Sequence, residues 1–132
     1  MHEKEIEIRW RDVDAFRHVN NAVYLTYLEE ARDEWLEGVL GRDSENLWDF
    51  VLARIAIDYR SELTQEDDVV VARCGLEAIG TSSFRTKEQL LGPGGRIAAE
   101  AEAVIVARNR AAGGARALSA EERGALEAVL ER

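Results

Sequence analysis

The chain has 132 residues and a formal net charge of -9 at pH 7. A single domain of this length can bury enough surface to fold without a metal or disulfide bonds. Proteins that bind nucleic acid need clustered lysine and arginine, whereas acids here outnumber these bases by 26 to 17, so we exclude that class. No apolar run approaches the roughly 20 residues that cross a bilayer, and MHEKEIEIRW lacks the apolar core of a signal peptide. We therefore expect a cytoplasmic protein that binds no membrane.

The N-terminal third predicts a strand, a polar loop and a long helix. Charged and apolar residues alternate over residues 3–10, which is typical of a half-buried strand. Over residues 22–37 the apolar residues instead recur every three or four positions, as on one face of a helix. We expect Asn20 or Asn21 to cap this helix and Gly38 or Gly41 to end it. Its polar side is predicted to comprise Glu29, Glu30, Arg32, Asp33 and Glu37.

The remainder predicts four more strands and a short helix, after a variable segment at residues 41–50. The strands are expected at residues 51–60, 68–79, 82–91 and 96–108. The turn GPGG between the last two is typical of a hairpin rather than a phosphate loop. Cys74 is predicted to be a buried core residue. One face of the last strand carries small residues that would let the helix pack closely, namely Ile97, Ala99, Ala101, Ala103, Ile105 and Ala107.

The C-terminal part predicts a linker at residues 111–118 and a terminal helix at residues 119–132. Ser119 and Glu122 have the spacing of a capping box, which marks the start of a helix. With residues 1–110 as the core, the order of elements predicts one α+β domain, in which a long helix packs on an antiparallel sheet.

The loop before the long helix combines a carboxylate with a helix N-terminus. Asp14 lies seven residues before Asn21, about where the helix begins. Unpaired N–H groups at a helix N-terminus can polarise a carbonyl group, and a nearby carboxylate can attack that carbonyl or activate a water. This pairing suggests acyl transfer or hydrolysis. From the residues alone, turn and capping roles are the simpler interpretation, and a single histidine such as His18 is more often structural.

The run DVDAFRHVNNAVY at residues 12–24, continuing into YLEEAR, closely resembles the N-terminal signature of a known family. This family comprises the hotdog-fold acyl-CoA thioesterases of the 4-hydroxybenzoyl-CoA thioesterase type. The resemblance extends more diffusely over residues 3–108. It implies an antiparallel sheet wrapped around a long central helix, and homodimers or homotetramers in which sheets join. It also implies an acyl-CoA substrate, hydrolysed to the free acid and CoA.

The resemblance also implies roles for individual residues. Asp14 would be the nucleophile or general base, and the Asn21 backbone N–H would polarise the thioester carbonyl. His18 and Asn20 would shape the loop and position the water. Since a thiolate leaves readily, we expect no cofactor and no metal site. One departure is Arg17, where the family usually has glycine, so the loop path is open to a local change. Arg17 either meets a CoA phosphate or is a solvated surface residue.

Two further groups of side chains are candidates for binding the substrate. Ser83 and Arg85, followed by Lys87, alternate on one face of a strand and either bind the pantetheine and phosphates of CoA or form a solvated face. Tyr24, Tyr27 and Tyr59 are candidates for an acyl pocket, although the core is the simpler interpretation for Tyr27 and Tyr59. Two alternative functions remain open: an acyl-ACP thioesterase, and an acyl-thioester binding protein without turnover.

Overall fold

The computed structural model describes residues 1–41 and 49–131. Most of the variable segment therefore lies outside the described residues. The strands and helices, in chain order, are β1 (His2–Glu7), α1 (Asn21–Leu40), β2 (Phe50–Tyr59), β3 (Val69–Ile79), β4 (Ser83–Leu91), β5 (Ile97–Ala107) and α2 (Ala120–Ala128). Within the part of the chain that the structure describes, neither helix combines the length and apolar character needed to cross a membrane.

The five strands form one antiparallel sheet in the order β1-β3-β4-β5-β2. Strands β3, β4 and β5 follow one another as neighbours, while β1 and β2 occupy the two edges. Gly94 and Gly95 have φ of 71° and 78° in the predicted turn between β4 and β5, a conformation that glycine adopts without steric cost. Strand β1 ends at Glu7, earlier than predicted, because the chain folds into a short 3-10 turn at Trp10–Asp12.

The long helix packs on the inner face of the sheet, as the periodicity predicts. Tyr27, Leu28 and Ala31 of α1 are almost fully buried. Ala98, Ala99 and Ala101 of β5 lie in the same buried cluster, and Cys74 is buried as expected. The prediction is wrong for Ile97, which is 38% exposed, because a register shift opposite Leu90 and Leu91 changes the alternation at the start of β5. Because alanine projects little from the sheet, the bulky tyrosine and leucine side chains can fill the layer between helix and sheet. The fold thus agrees with the predicted α+β layer.

A buried ion pair connects the middle of α1 to the centre of the sheet. The sequence places Arg32 on the polar side of the helix, but in the structure its side chain is only 7% exposed and that of Glu88 is fully buried. The Arg32 Nε and Nη2 atoms donate to the two Glu88 carboxylate oxygens at 2.8 and 2.9 Å. Thr86 donates a further hydrogen bond of 2.6 Å to Glu88. The period of the helix could not reveal this pair, because its partner lies 56 residues away.

The C-terminal helix begins at the predicted capping box. The Glu122 N–H donates to Ser119 Oγ, and the Ser119 N–H donates to Glu122 Oε1. Glu122 also pairs with Arg116 at 2.7 Å, and this hydrogen bond lowers the pKa of the carboxyl despite its burial. Leu126 is fully buried in the same cluster as Leu76, so α2 covers one end of the core.

Candidate functional site

The loop between β1 and α1 closes into a tight turn. Val13 and Val19 form an antiparallel bridge. Between them, the Asp14 N–H donates to the His18 carbonyl at 3.2 Å, and the Arg17 N–H donates to the Asp14 carbonyl at 3.0 Å. These bonds require a left-handed residue in the turn, and Arg17 supplies it with φ of 70°. The turn therefore adopts a glycine-like conformation even though it carries arginine.

Replacing Arg17 with glycine should stabilise the protein by about 0.5–1 kcal/mol. Glycine removes the steric cost of a positive φ, and this gain exceeds the additional chain entropy that glycine loses on folding. Urea unfolding measures this change. The matched control is Arg11→Gly, which removes the same side chain from a nearby position without a positive φ. We expect the control to destabilise the protein, and a loss of stability in both variants would contradict the strain at Arg17.

The Asp14 carboxylate is held by hydrogen bonds to both of its oxygens. Oδ1 accepts from the Phe16 N–H at 2.9 Å, and Oδ2 accepts from Asn20 Nδ2 at 3.2 Å. The amide oxygen of the same Asn20 caps α1 by accepting from the Ala22 N–H at 2.9 Å. One asparagine therefore orients the carboxylate and starts the helix, which decides between the two predicted caps. Its position explains how a cap and a reactive group share one short loop.

The backbone N–H of Asn21 stands at the first position of α1. Amides in the first turn of a helix have no acceptor within the helix and lie at its positive end. Ala22 and Val23 have acceptors from Asn20. The carbonyl group of Asn21 accepts a hydrogen bond of 2.9 Å from the Tyr59 hydroxyl. Tyr59 thereby ties the end of β2 to the helix N-terminus and restricts the orientation of the first turn.

Asp12, the first acid of the loop, holds the loop in place and does not face the cleft. Its carboxylate is buried and accepts hydrogen bonds from the Tyr27 hydroxyl at 2.6 Å and the Arg9 N–H at 3.0 Å. Burial by itself would raise the pKa of Asp12, but these hydrogen bonds and the charge of Arg9 outweigh it, so the pKa is lowered. The Asp12 carbonyl in turn accepts from the Asn20 N–H. Asp12 thus anchors the loop to the core.

Replacing Tyr27 with phenylalanine should cost about 1–3 kcal/mol, because it leaves the buried Asp12 carboxylate short of a donor. A lowered folded pKa contributes stability above the unfolded value, and that contribution is lost as the pH falls through the folded pKa. The variant should therefore lose less stability than the wild type on acidification below the ordinary Asp pKa of 3.8. Urea unfolding over this pH range measures both slopes, and equal slopes would contradict the role of Tyr27.

A cleft of about 500 Å³ opens between the loop, the start of α1 and the end of β2. The cleft brings the catalytic candidates of the N-terminal signature next to Tyr59, at the end of β2. The lining residues are Asp14, Phe16, His18, Val19, Asn20, Asn21, Tyr24, Tyr59, Arg60, Ser61 and Glu62. The carboxylate of Asp14 and the exposed start of the helix thus share one cavity.

Ring contacts, hydrogen bonds and a close pair of polar groups connect the residues around this cleft. The Tyr24 and Tyr59 rings lie 5.2 Å apart between centroids. The Tyr24 hydroxyl donates to the Ser61 carbonyl and accepts from the Leu63 N–H, so it secures the segment after β2. His18 Nε2 lies 3.6 Å from a Glu62 carboxylate oxygen. Sequence reasoning missed Ser61 and Glu62, since they follow β2 by chain order and carry no motif of their own.

The tyrosine predictions are partly confirmed. Tyr27 is fully buried, as expected of a core residue, but the core interpretation is wrong for Tyr59, which is 45% exposed. Tyr59 ends the edge strand β2, so no further strand covers its outer side.

Ser83 and Arg85 lie away from the cleft within a single chain. Both belong to the side of β4 opposite its buried residues Phe84, Thr86 and Glu88. Arg85 Nε is 3.2 Å from Glu77 Oε2 and 3.6 Å from Glu102 Oε1, so its charge already has partners. Their role in substrate binding stays a prediction. Across residues 1–41 and 49–131, no group of three or more histidine, cysteine, aspartate or glutamate side chains is placed to hold a metal ion.

Comparisons of the sequence and of the fold with known proteins identify relatives that match nearly the whole chain. A sequence model described as the thioesterase-like superfamily matches residues 8–126. The chain is 31% identical over 130 residues to the long-chain acyl-CoA thioesterase FadM of Escherichia coli K12, covering 96% of this chain and 98% of FadM. A crystal structure of a Thermus thermophilus thioesterase complexed with coenzyme A and Zn superposes with a TM-score of 0.85 at 29% identity, covering 96% of this chain and 91% of the other.

The structure of a protein from Bacillus stearothermophilus described as a predicted thioesterase shares the fold, with a TM-score of 0.89 at 24% identity, covering 98% of this chain and 96% of the other. The family resemblance that the N-terminal signature implies is therefore confirmed, and the match to the family model extends over residues 8–126. The protein belongs to the thioesterase-like superfamily, and it is a thioester hydrolase with the hotdog fold.

Proposed function

We propose that the protein hydrolyses acyl-CoA to the free carboxylic acid and CoA at the cleft that holds Asp14 and the start of α1. The single observation that supports this most strongly is the shared cleft of a hydrogen-bonded carboxylate and a helix N-terminus. The identity of the acyl carrier as CoA is supported by the name of FadM and by the coenzyme A bound to the Thermus thermophilus thioesterase.

The proposed reaction uses the two halves of the cleft in turn. The Asn21 N–H donates to the thioester carbonyl and stabilises the negative charge that develops on its oxygen. Asp14 attacks the carbonyl carbon directly, or it takes a proton from a water that attacks. The carbon–sulfur bond then breaks and CoA leaves as the thiolate, which takes up a proton. When Asp14 is the nucleophile, water subsequently hydrolyses the acyl–aspartate anhydride.

The neighbouring residues have positioning and binding roles in this proposal. Asn20 orients the carboxylate through its side-chain amide, and Tyr59 restrains the Asn21 peptide. His18 borders the path of the attacking water, while Tyr24 and Tyr59 form an aromatic wall for the substrate. Ser83 and Arg85 would contact CoA only from another subunit, because they lie on the outer face of the sheet.

We propose that the protein forms homodimers through β2, and homotetramers as pairs of such dimers. Strand β2 is a ten-residue edge strand whose Val51, Leu52 and Tyr59 side chains are 40%, 45% and 45% exposed. An unpaired apolar edge of this length favours pairing with a second copy. Sedimentation equilibrium tests the mass, and Leu52→Lys should shift the protein toward monomer. A wild-type protein that is monomeric at micromolar concentration would contradict the proposal.

The central experiment measures thiol release from acyl-CoAs of graded chain length and from the matching acyl-ACPs. We expect turnover with acyl-CoA. Turnover confined to acyl-ACP would replace the proposal with the first alternative, and binding without turnover of any thioester would replace it with the second. Because thiolate needs no metal to depart, we also propose a reaction without cofactor, which predicts full activity after dialysis against a chelator. A cytoplasmic location is likewise proposed, and cell fractionation tests it.

A further inference from the structure

The loop that carries Asp14 also exposes two large aromatic side chains and two arginines. Trp10 is 85% exposed and Phe16 is 78% exposed, the highest values among the exposed large hydrophobic side chains of residues 1–41 and 49–131. Arg11 and Arg17 are exposed beside them in the sequence. We call Trp10, Arg11, Phe16 and Arg17 the loop surface. Exposed aromatic rings interleaved with arginines differ from an ordinary solvated loop, which carries small polar residues.

The arginines of the loop surface have no carboxylate partner. Among the residues that the structure describes, neither Arg11 nor Arg17 takes part in a salt bridge or a side-chain hydrogen bond. This is unusual in a chain of net charge -9, where Arg54, Arg73 and Arg85 each pair with a glutamate. Both guanidinium groups are therefore left without a neutralising partner among the described residues and are available to an anion.

Arg17 stands at the costliest backbone position of the loop. Its φ of 70° is the conformation in which glycine is most favourable. Strained backbone conformations of this kind cluster at active sites and ligand-binding segments. The hydrogen bonds of the turn use only the backbone of Arg17, so the fold does not require its guanidinium group.

The loop surface borders the cleft at Phe16. Phe16 lines the cleft together with His18 and Asn21, and Arg17 follows Phe16 directly. A ligand that extends out of the cleft past Phe16 would lie next to the residue that carries the Arg17 guanidinium group. Guanidinium groups bind phosphate through paired charge-assisted hydrogen bonds, and they stack on planar rings, as aromatic side chains also do. The chemistry of this surface matches a molecule with phosphates and a purine.

We propose that the loop surface binds the nucleotide end of the acyl-CoA substrate, with Arg11 and Arg17 on its phosphates and Trp10 and Phe16 against its adenine. This inference rests on the proposed function, since it assigns a site to the part of CoA remote from the thioester. Arg85 is the less favourable phosphate site within this chain, because Glu77 and Glu102 already surround its guanidinium group.

The test compares an acyl-CoA with the acyl-pantetheine that carries the same acyl group. Acyl-pantetheine has the thioester but lacks the nucleotide. The variants are Arg17→Gly, which removes the charge and suits the backbone, and Arg11→Ala. Each variant should raise KM for acyl-CoA about 10-fold, while kcat and the kinetics with acyl-pantetheine stay unchanged. Loss of a charge-assisted hydrogen bond to phosphate is of this order. For the wild type, KM for acyl-CoA should also rise with salt concentration.

Arg108→Ala is the matched control, because Arg108 is also exposed but lies at the end of β5 outside the loop. It should leave KM unchanged. Equal effects of Arg17→Gly on both substrates would overturn the inference, as would a selective rise in KM for acyl-CoA in Arg85→Ala but not in Arg17→Gly. Calorimetric titration with CoA itself separates this inference from the proposed function. CoA binding that weakens in Arg17→Gly supports the loop surface even when no thioester is hydrolysed, and unchanged binding overturns it.

Adenosine 3′,5′-bisphosphate provides the last arm of the test. If the loop surface recognises the nucleotide of CoA, this compound should compete with acyl-CoA for the wild type and compete less well for Arg17→Gly. Competition that is equal in the two proteins would contradict the assignment of the phosphates to Arg17.

Discussion

Replacing Asp14 with alanine or asparagine should lower kcat for acyl-CoA at least about 100-fold, the order expected for loss of a general base. Asp14 and Glu62 both line the cleft, and Asp14 lies closer in sequence to the start of α1. Hydrogen-bond donors hold both oxygens of the Asp14 carboxylate. Asparagine keeps the shape but removes the negative charge and leaves an amide facing the amide of Asn20. Thiol release under saturating substrate measures the loss.

A matched variant separates the chemistry of Asp14 from the shape of its loop. Asn20→Asp keeps a good helix cap but replaces the donor to Asp14 with a second carboxylate. We expect a smaller fall in kcat than in the Asp14 variants, together with a pH–rate profile shifted upward, because a neighbouring negative charge raises the pKa of a carboxyl. Full activity in both Asp14 variants would refute the mechanism. Single-turnover hydrolysis in labelled water then tests for attack by Asp14. Label in the aspartate identifies that route, because it enters the side chain only when water opens the acyl–aspartate anhydride at the aspartyl carbon.

Removing one partner of the Arg32–Glu88 pair should cause a large loss of stability. Glu88→Ala leaves the buried guanidinium uncompensated, and a cost of about 3–5 kcal/mol is typical of such a change. Since domains of this kind have about 5–15 kcal/mol of total stability, this is a large part of the whole. Thermal and urea unfolding measure the effect.

Two controls define what the buried pair contributes. Glu102→Ala removes a partner from the exposed arginines of the outer sheet face and should cost less than about 1 kcal/mol. The double variant Arg32→Met with Glu88→Leu removes both charges and should recover most of the stability, because apolar groups of similar volume replace a buried pair without leaving a charge. A double variant as unstable as Glu88→Ala would show that lost packing, rather than an uncompensated charge, causes the effect.

The sequence alone determined the features that depend on local spacing. The two-residue period identified the strands, the change of period identified α1, and the pair Asn20 and Asn21, like Ser119, marked a helix start. The separation of Asp14 from Asn21 predicted a carboxylate beside a helix N-terminus, and both line the cleft. Such patterns are readable because a helix or strand repeats over a few residues, and a cap acts on amides two or three positions away.

Only the tertiary structure decided which distant residues meet. It buried Arg32 against Glu88, brought the Tyr59 hydroxyl to the Asn21 carbonyl, and placed Glu62 beside His18. It also placed Arg85 among glutamates on the outer face of the sheet, away from the cleft of its own chain. These contacts join residues that are far apart in the sequence and depend on strand order and register. A side-chain pattern along one segment carries no information about its partner, because pairing is set by how the whole sheet packs on the helix.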